Sequence, residues 1–250
     1  MGGLGNQVFQ YAAALALVGP GKEDQIVADS SWLEAHASSP GITPRPFQLG
    51  RLGVAPGRSE GHAGLWYHEE IPPAYDPAAK YYLRGYFQNL IFWPPGVRQW
   101  FKDRIPVVHP RARVVAIHVR RGDYVSNPSA TTWHGVTPLV YFVHHANEII
   151  ENKLVDRCSI FSDDPDWCEK ELVPKLRAPS SIHVGAMNNP WLDIADMAAC
   201  DYHVISNSTF GWLGAYLAES KGVVYPSKWL TGYKPAPPIF PDWWQKSEQW

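Results

Sequence analysis

Cysteine is scarce in this 250-residue chain, and Cys158, Cys168 and Cys200 are an odd number without paired spacing. That argues against a disulfide scaffold and against a structural zinc site, and the three read as free thiols. Charge of one sign is also missing: 22 Lys and Arg stand against 24 Asp and Glu. No overall field therefore draws nucleic acid or an anionic membrane, so any anion site must be local. Long apolar runs are missing too. The stretch 11–18, the longest near the start, is about half of the roughly 20 residues that a spanning helix needs. Met1-Gly2-Gly3-Leu4-Gly5 opens the sequence with no basic segment leading into an apolar run, so no signal peptide is read here. No internal repeat is evident. With hydrophobic residues at 45% and charged residues at 18%, the composition is that of a chain that folds around a sizeable core.

What is present alternates. A helix is expected over 7–18, stopped by Gly19-Pro20-Gly21, then a short strand at 26–29 and an irregular stretch over 38–64 rich in Pro, Gly and Ser. A β-prone aromatic segment covers 81–86, and a helix over 97–104 ends at Pro106. Val114-Val115-Ala116-Ile117-His118-Val119 is nearly all apolar and of strand length, the pattern of a strand buried on both faces of a parallel sheet. Helices at 139–152, 166–176, 192–199 and 210–220 then alternate with strands at 158–162, 182–184, 202–206 and 222–225, which predicts a doubly wound sheet. Residues 231–250 form a tail rich in Trp and Pro, expected to fold back over earlier structure.

Three segments carry chemistry. Gly2-Gly3-Leu4-Gly5-Asn6-Gln7 lets backbone approach a ligand just ahead of a helix N-terminus. It lacks the third glycine of the dinucleotide fingerprint and no strand precedes it, so a nicotinamide cofactor is disfavoured; a tight structural turn explains the same glycines. His118-Val119-Arg120-Arg121-Gly122-Asp123 ends the buried strand, where ligands bind in open α/β sheets. Arginine presents a planar fork that holds two phosphate oxygens, the need of a nucleoside-diphosphate leaving group. Arg120 shares a strand face with His118, and Arg121 points the other way to brace Asp123 or the loop; a surface ion pair is the plainer account. Ser206-Asn207-Ser208-Thr209-Phe210-Gly211-Trp212 places small hydroxyls at a strand-to-helix turn, which is either an anion-binding helix start or a simple cap. Asn207-Ser208-Thr209 is a glycosylation sequon by chance. Asp163 and Asp164 end another strand, and Asp193 and Asp196 precede Met197; each suits sugar hydroxyls or a base edge, and each equally suits a helix cap.

Taken together, these residues resemble the α-1,2-fucosyltransferases that use GDP-fucose, the glycosyltransferase family 11 type. The likeness runs through Gly2–Tyr11, Leu83-Arg84-Gly85-Tyr86-Phe87-Gln88, the His-x-Arg-Arg-x-Asp motif at 118–123, Phe161-Ser162-Asp163-Asp164 and Ser206–Phe210, in family order. The resemblance implies an α/β, GT-B-like fold of two Rossmann-like domains facing a cleft. The N-terminal, acceptor-side one is assigned to 1–105 and the GDP-fucose-binding one to 106–230, with the tail at 231–250. It also implies an apolar strand ahead of the glycine loop, which this sequence does not contain, so the N-terminal domain is expected to lack its first strand.

By the same resemblance, Arg120 holds the β-phosphate and His118 sits by the diphosphate. Ser208, Thr209 and Phe210 line the nucleotide, Asp193 reads guanine, Asp163 joins the donor site, and Gly5 and Asn6 reach the donor from the opposite domain. Transfer to the 2-hydroxyl of a terminal galactoside inverts, with Asp123 or His134 as base, Arg120 stabilising the leaving group and no metal expected. The rival functions are a fucosyltransferase of another linkage, such as α-1,6, and a carbohydrate-binding relative without catalysis. A bacterial type of protein would be cytoplasmic; the catalytic part of an anchored eukaryotic enzyme would sit at the Golgi membrane.

Overall fold

The computed structural model describes residues 2–39, 43–59, 64–68, 75–105, 111–183, 189–231, 236–248 and 250. The chain divides into two units, Met1–Arg104 with Pro237–Ile239, and Ile105–Ala236 with Phe240–Trp250.

In the first unit the helix starts earlier than the expected position 7. Gly3 is extended and caps it, its carbonyl accepting the Gln7 N–H at 3.0 Å, so α1 runs Leu4–Val18. Gly5 and Asn6 therefore lie in a helical turn instead of a loop, and Gly5 is buried. Phe9 meets Trp93 edge-on at 5.5 Å, and Tyr11 packs on Trp100 at 5.4 Å, which anchors α1 through aromatic contacts. The strands here are short. β1 (Ala28–Asp29) precedes α2 (Ser31–Ala35) and pairs in parallel with β2 (Pro56–Gly57). Of the strand expected over 26–29 only these two residues pair: the Ile26 N–H closes a 3-10 turn onto the Glu23 carbonyl at 3.0 Å, and the Asp29 carboxylate accepts the Ser31 N–H at 2.9 Å and the Ser59 N–H at 3.1 Å. β3 (Leu65–His68) pairs in parallel with β4 (Tyr81–Arg84), and α3 follows at Pro95–Arg104. β4 stops short of 86 because Gly85 (φ 138°) and Phe87 (φ 52°) leave the extended region.

The second unit contains β5 (Arg111–Val119), α4 (Gly122–Ser126), α5 (Pro128–His134), α6 (Leu139–Asn152), β6 (Arg157–Ser162), α7 (Pro165–Trp167) and β7 (Ser180–His183). It continues with α8 (Pro190–Ala198), β8 (Cys200–Ile205), α9 (Thr209–Leu217), β9 (Gly222–Tyr225) and β10 (Gln245–Lys246). These strands make one parallel sheet in the order β10-β9-β8-β5-β6-β7, so the fold is α/β and doubly wound. From β5 the chain builds outward to β6 and β7, then crosses back to lay β8 on the other side of β5. That reversal makes the carboxyl ends of β5 and β8 the topological switch point, where such sheets open a ligand crevice.

β5 is buried on both faces, as its unbroken apolar run requires: residues 114–119 are at most 5% exposed. Val115, Ile117 and Val119 pack against Tyr141, Phe142 and Ile149 of α6. Each fully buried side chain of this size contributes roughly 1.5–3 kcal/mol. The buried Tyr141 hydroxyl lies 2.8 Å from the Ile205 carbonyl and 3.0 Å from that of Val224, which pins α6 across β8 and β9. The helix expected over 166–176 is instead broken into α7, a π-turn at Cys168–Leu172 and a 3-10 turn at Val173–Lys175. Pro174 has no N–H to continue the ladder. The strand expected over 182–184 runs Ser180–His183; residue 184 lies outside the described residues. α4 and α5 add to the expected elements, and α5 begins where the Asn127 side chain accepts the Ser129 N–H at 3.0 Å, with Pro128 at the first helical position. The three cysteines are buried free thiols. Among the described residues, no helix is long and apolar enough to cross a membrane.

Candidate functional site

The switch point gathers the charged motif. His118, the last residue of β5 but one, is buried, and its Nδ1 lies 2.9 Å from the Oγ of Ser206, which directly follows β8. The same hydroxyl accepts the Arg120 N–H at 3.2 Å, so one side chain ties the two strand ends together. Burial first, and the Arg120 charge second, push the His118 pKa down to about 3, which keeps the ring neutral. The His118 ring lies 5.7 Å from the Phe210 ring, and a Cβ at Gly211 would come within 2.5 Å of its Nδ1. Glycine at 211 is what lets α9 start this close to β5. His118 thus braces the base of the site.

Arg120 projects from the strand end and is bound by two carboxylates. Its Nη1 meets Asp163 Oδ2 at 2.7 Å, and its Nη2 pairs with Asp123. The guanidinium also lies 5.3 Å from the centre of the Tyr124 ring. The side chains are only partly exposed, 22% for Arg120 and 25% for Asp163, so these pairs are stronger than open surface bridges. Asp163 reaches this position because residue 122 is glycine: a Cβ there would sit 2.3 Å from Asp163 Oδ2. The other Asp163 oxygen accepts the Arg121 N–H at 2.8 Å.

Arg121 does point away from Arg120, but its partner is Asp164, at 2.9 Å, with its guanidinium 4.1 Å from the Trp167 ring centre; the expected brace to Asp123 is taken by Arg120. Alternation along the strand separates the two arginines, and the turn between β6 and α7 supplies one aspartate to each.

Behind Arg120, Tyr124 stacks on His134 with centroids 4.5 Å apart and planes 1° from parallel. Burial lowers the His134 pKa; Asp123 pulls it up and Arg120 down to lesser degrees. On the other flank Ser208 caps α9, its hydroxyl accepting the Phe210 N–H at 3.3 Å, with Thr209 as the first helical residue. Asn207 is buried and structural: its Nδ2 donates to the His134 carbonyl at 2.7 Å, and its Oδ1 accepts from Thr137 at 3.0 Å. The sequon is therefore closed to modification in the fold. Asp193, on α8, is 2% exposed, and its Oδ2 has no hydrogen-bond partner. Burial, then the charge of Asp196, pushes its pKa up to about 6.

His118, Arg120, Asp123, Asp163 and His134 are thus brought together beside the α9 start formed by Ser208, Thr209 and Phe210. Asp193 comes from α8 and shares none of those contacts. Gly5 and Asn6 belong to the first unit, where Asn6 Oδ1 accepts from Gln88 Nε2 at 3.1 Å, which joins the first two recurring motifs. Gly2 (φ 75°) is needed there, since a Cβ would meet Asn6 Nδ2 at 2.6 Å. Ser206, Tyr124, Trp167, Gly122 and Gly211 hold the cluster and were not among the expected site residues. The two glycines stand inside the motifs, and a glycine next to charged residues is the signal that could have marked them.

This arrangement coincides with a recognised sequence pattern: residues 100–230 match the model of Glycosyl transferase family 11. The chain belongs to that family. The matched span runs from within α3 to beyond β9 and includes the whole Arg120 cluster, Asp193 and the α9 start. Among curated relatives, the O-antigen biosynthesis glycosyltransferase WbnK of Escherichia coli is 27% identical over 92% of this chain and 93% of that protein. An alpha-1,2-colitosyltransferase of Escherichia coli is 26% identical over 94% of each chain. The galactoside 2-alpha-L-fucosyltransferase SEC1 of Bos taurus is 30% identical over 52% of this chain and 37% of its own. The family-11 chain is accordingly a glycosyltransferase.

Proposed function

We propose that this family-11 chain moves L-fucose from GDP-β-L-fucose to the 2-hydroxyl of a terminal galactoside, with inversion. The observation that carries the reading is Arg120, poised at the switch point beside the N-terminus of α9, where a diphosphate gains both a guanidinium fork and the positive end of a helix. The names of the relatives support the linkage, since two of the three specify transfer of a sugar to a 2-position.

In the proposed reaction the acceptor oxygen attacks the anomeric carbon as the bond from that carbon to the β-phosphate oxygen breaks. GDP leaves with the electron pair, and Arg120 with the α9 amides takes up the added charge. A guanidinium has five N–H donors, so Arg120 can keep one carboxylate and turn the remaining donors to phosphate. The acceptor proton passes to His134, which burial keeps neutral at pH 7. Asp123 is committed to Arg120 and positions it. Asp193 reads the guanine edge: a buried acceptor left unpaired costs about 1–3 kcal/mol, and guanine N–H groups would satisfy it.

The test is incubation with GDP-fucose and lactose, with and without EDTA, following GDP release and product linkage beside Arg120→Ala. A 2-linked fucosyl-galactose that survives EDTA and falls at least about 10²-fold in the variant is expected. No binding of GDP-fucose would overturn the reading, and faster turnover of GDP-colitose would reassign the sugar to that of the colitosyltransferase relative.

A further inference from the structure

Outside the Arg120 cluster, α6 carries a second group of metal-competent side chains. His144, His145 and Glu148 each bring one ligand atom within 4.8 Å of the others. His145 Nδ1 lies 3.5 Å from Glu148 Oε2, and His144 Nε2 lies 4.0 Å from the same oxygen. We propose that these three side chains bind a divalent late-transition metal, zinc foremost, in a site separate from the transfer chemistry.

The decisive feature is His145. Its side chain is 4% exposed, and Nδ1 is buried without a hydrogen-bond partner, although it faces the Glu148 carboxylate. With Nε2–H donating to Ser247, the Nδ1 lone pair faces the carboxylate oxygen, an arrangement that a bound cation between them would satisfy. On the other side of the ring, Nε2 is 2.7 Å from Ser247 Oγ. A histidine that ligates through one nitrogen and gives its other N–H to a fixed acceptor is the usual arrangement in metal sites. Ser247 is itself fixed, its N–H donating to the Tyr225 carbonyl at 2.8 Å.

Zinc bonds of roughly 2.0–2.2 Å place tetrahedral ligand atoms about 3.3 Å apart, close to the existing separation of His145 and Glu148. His144 is half exposed and closes the remaining gap by rotation. The nearby cations do not compete for Glu148, since Lys175 pairs with Glu171 at 3.5 Å and Arg177 pairs with Glu151. His144 and Glu148 line a groove of about 790 Å³ along α6, while His145 approaches from the buried side, which leaves room for water in the open coordination positions. Two nitrogen donors out of three select against magnesium and calcium, which take oxygen ligands. Through Ser247 the metal would lock the C-terminal strand region onto α6.

The test uses the full chain, stripped with chelator and titrated with Zn²⁺ in a calorimeter, with Mg²⁺ and Ca²⁺ as controls and melting temperature as a second readout. One equivalent of zinc is expected, with a raised melting temperature and no response to the two controls. His144 and Glu148 are half exposed, so His144→Ala and Glu148→Gln fold; each should weaken binding at least about tenfold and abolish the thermal gain. Absence of saturable binding, equal binding of magnesium, or unchanged affinity in the double variant would overturn the site. Arg120→Ala should bind zinc as the parent does, so failure here is separable from failure of the transferase reading.

Discussion

Gly122→Ala is a one-carbon test of how the Arg120 cluster is built. The added Cβ falls 2.3 Å from Asp163 Oδ2, and ordinary contact begins at 3.4 Å, so the carboxylate must retreat by about 1 Å. Its bonds to Arg120 Nη1, at 2.7 Å, and from the Arg121 N–H, at 2.8 Å, would then lengthen past hydrogen-bonding range. Bonds to charged groups contribute about 1.5–3 kcal/mol each, the lower figure applying to a site one quarter exposed. Alanine returns up to about 1 kcal/mol of helix propensity in α4. The net expectation is a loss of roughly 1–2 kcal/mol in urea unfolding. A reacting group misplaced by about 1 Å also costs on the order of 10²-fold in rate, read as GDP release. The control is the same substitution in an Asp163→Ala background, where the clash is gone and the penalty should vanish. An equal penalty in both backgrounds, or a single variant with parental rate and stability, would refute the account of Gly122.

Asp193→Asn should weaken GDP binding while stabilising the free protein at pH 7.5. The folded chain keeps the Asp193 proton up to about pH 6, whereas the unfolded chain releases it near 3.8. The cost of the buried charge is therefore absent below the unfolded value and complete above the folded one, at roughly 3 kcal/mol. Unfolding curves of parent and variant should converge below about pH 4; a gap that persists there would refute the burial argument. His134→Ala should reduce turnover by about 10²–10⁴-fold with little change in GDP affinity. In the parent the rate should fall only below the ordinary imidazole range, since burial lowers this pKa. A rate profile set by a group in the carboxylate range, retained in His134→Ala, would transfer the base to Asp123.

Much of the second unit is legible in the sequence because local rules act strongly there. The apolar run 114–119 names a buried parallel strand, and the alternation after it names a doubly wound sheet, since each segment carries its own periodicity. Helix ends were less legible where a cap or a proline intervenes, as at Gly3, Asn127 and Pro174. The motif residues His118, Arg120 and Asp123 could be singled out by type and by position at a strand end. Their pairing could not, because Asp163 arrives from the turn after β6, more than forty positions along the chain, and takes the partner that alternation left to Arg120.

The sequence alone therefore determined the α/β class, the charged motif at the end of β5 and the capped start of α9, each a consequence of neighbours along the chain. Tertiary structure decided the strand order, which puts β8 beside β5 and makes the switch point. It also decided that Ser206 bridges two strands, that Gly122 admits Asp163, that Asp193 keeps a buried oxygen unpaired, and that the buried His145 comes within 3.5 Å of Glu148. Those facts depend on which surfaces meet when the core closes, and a hydrogen bond between distant residues leaves no periodicity in the sequence to announce it.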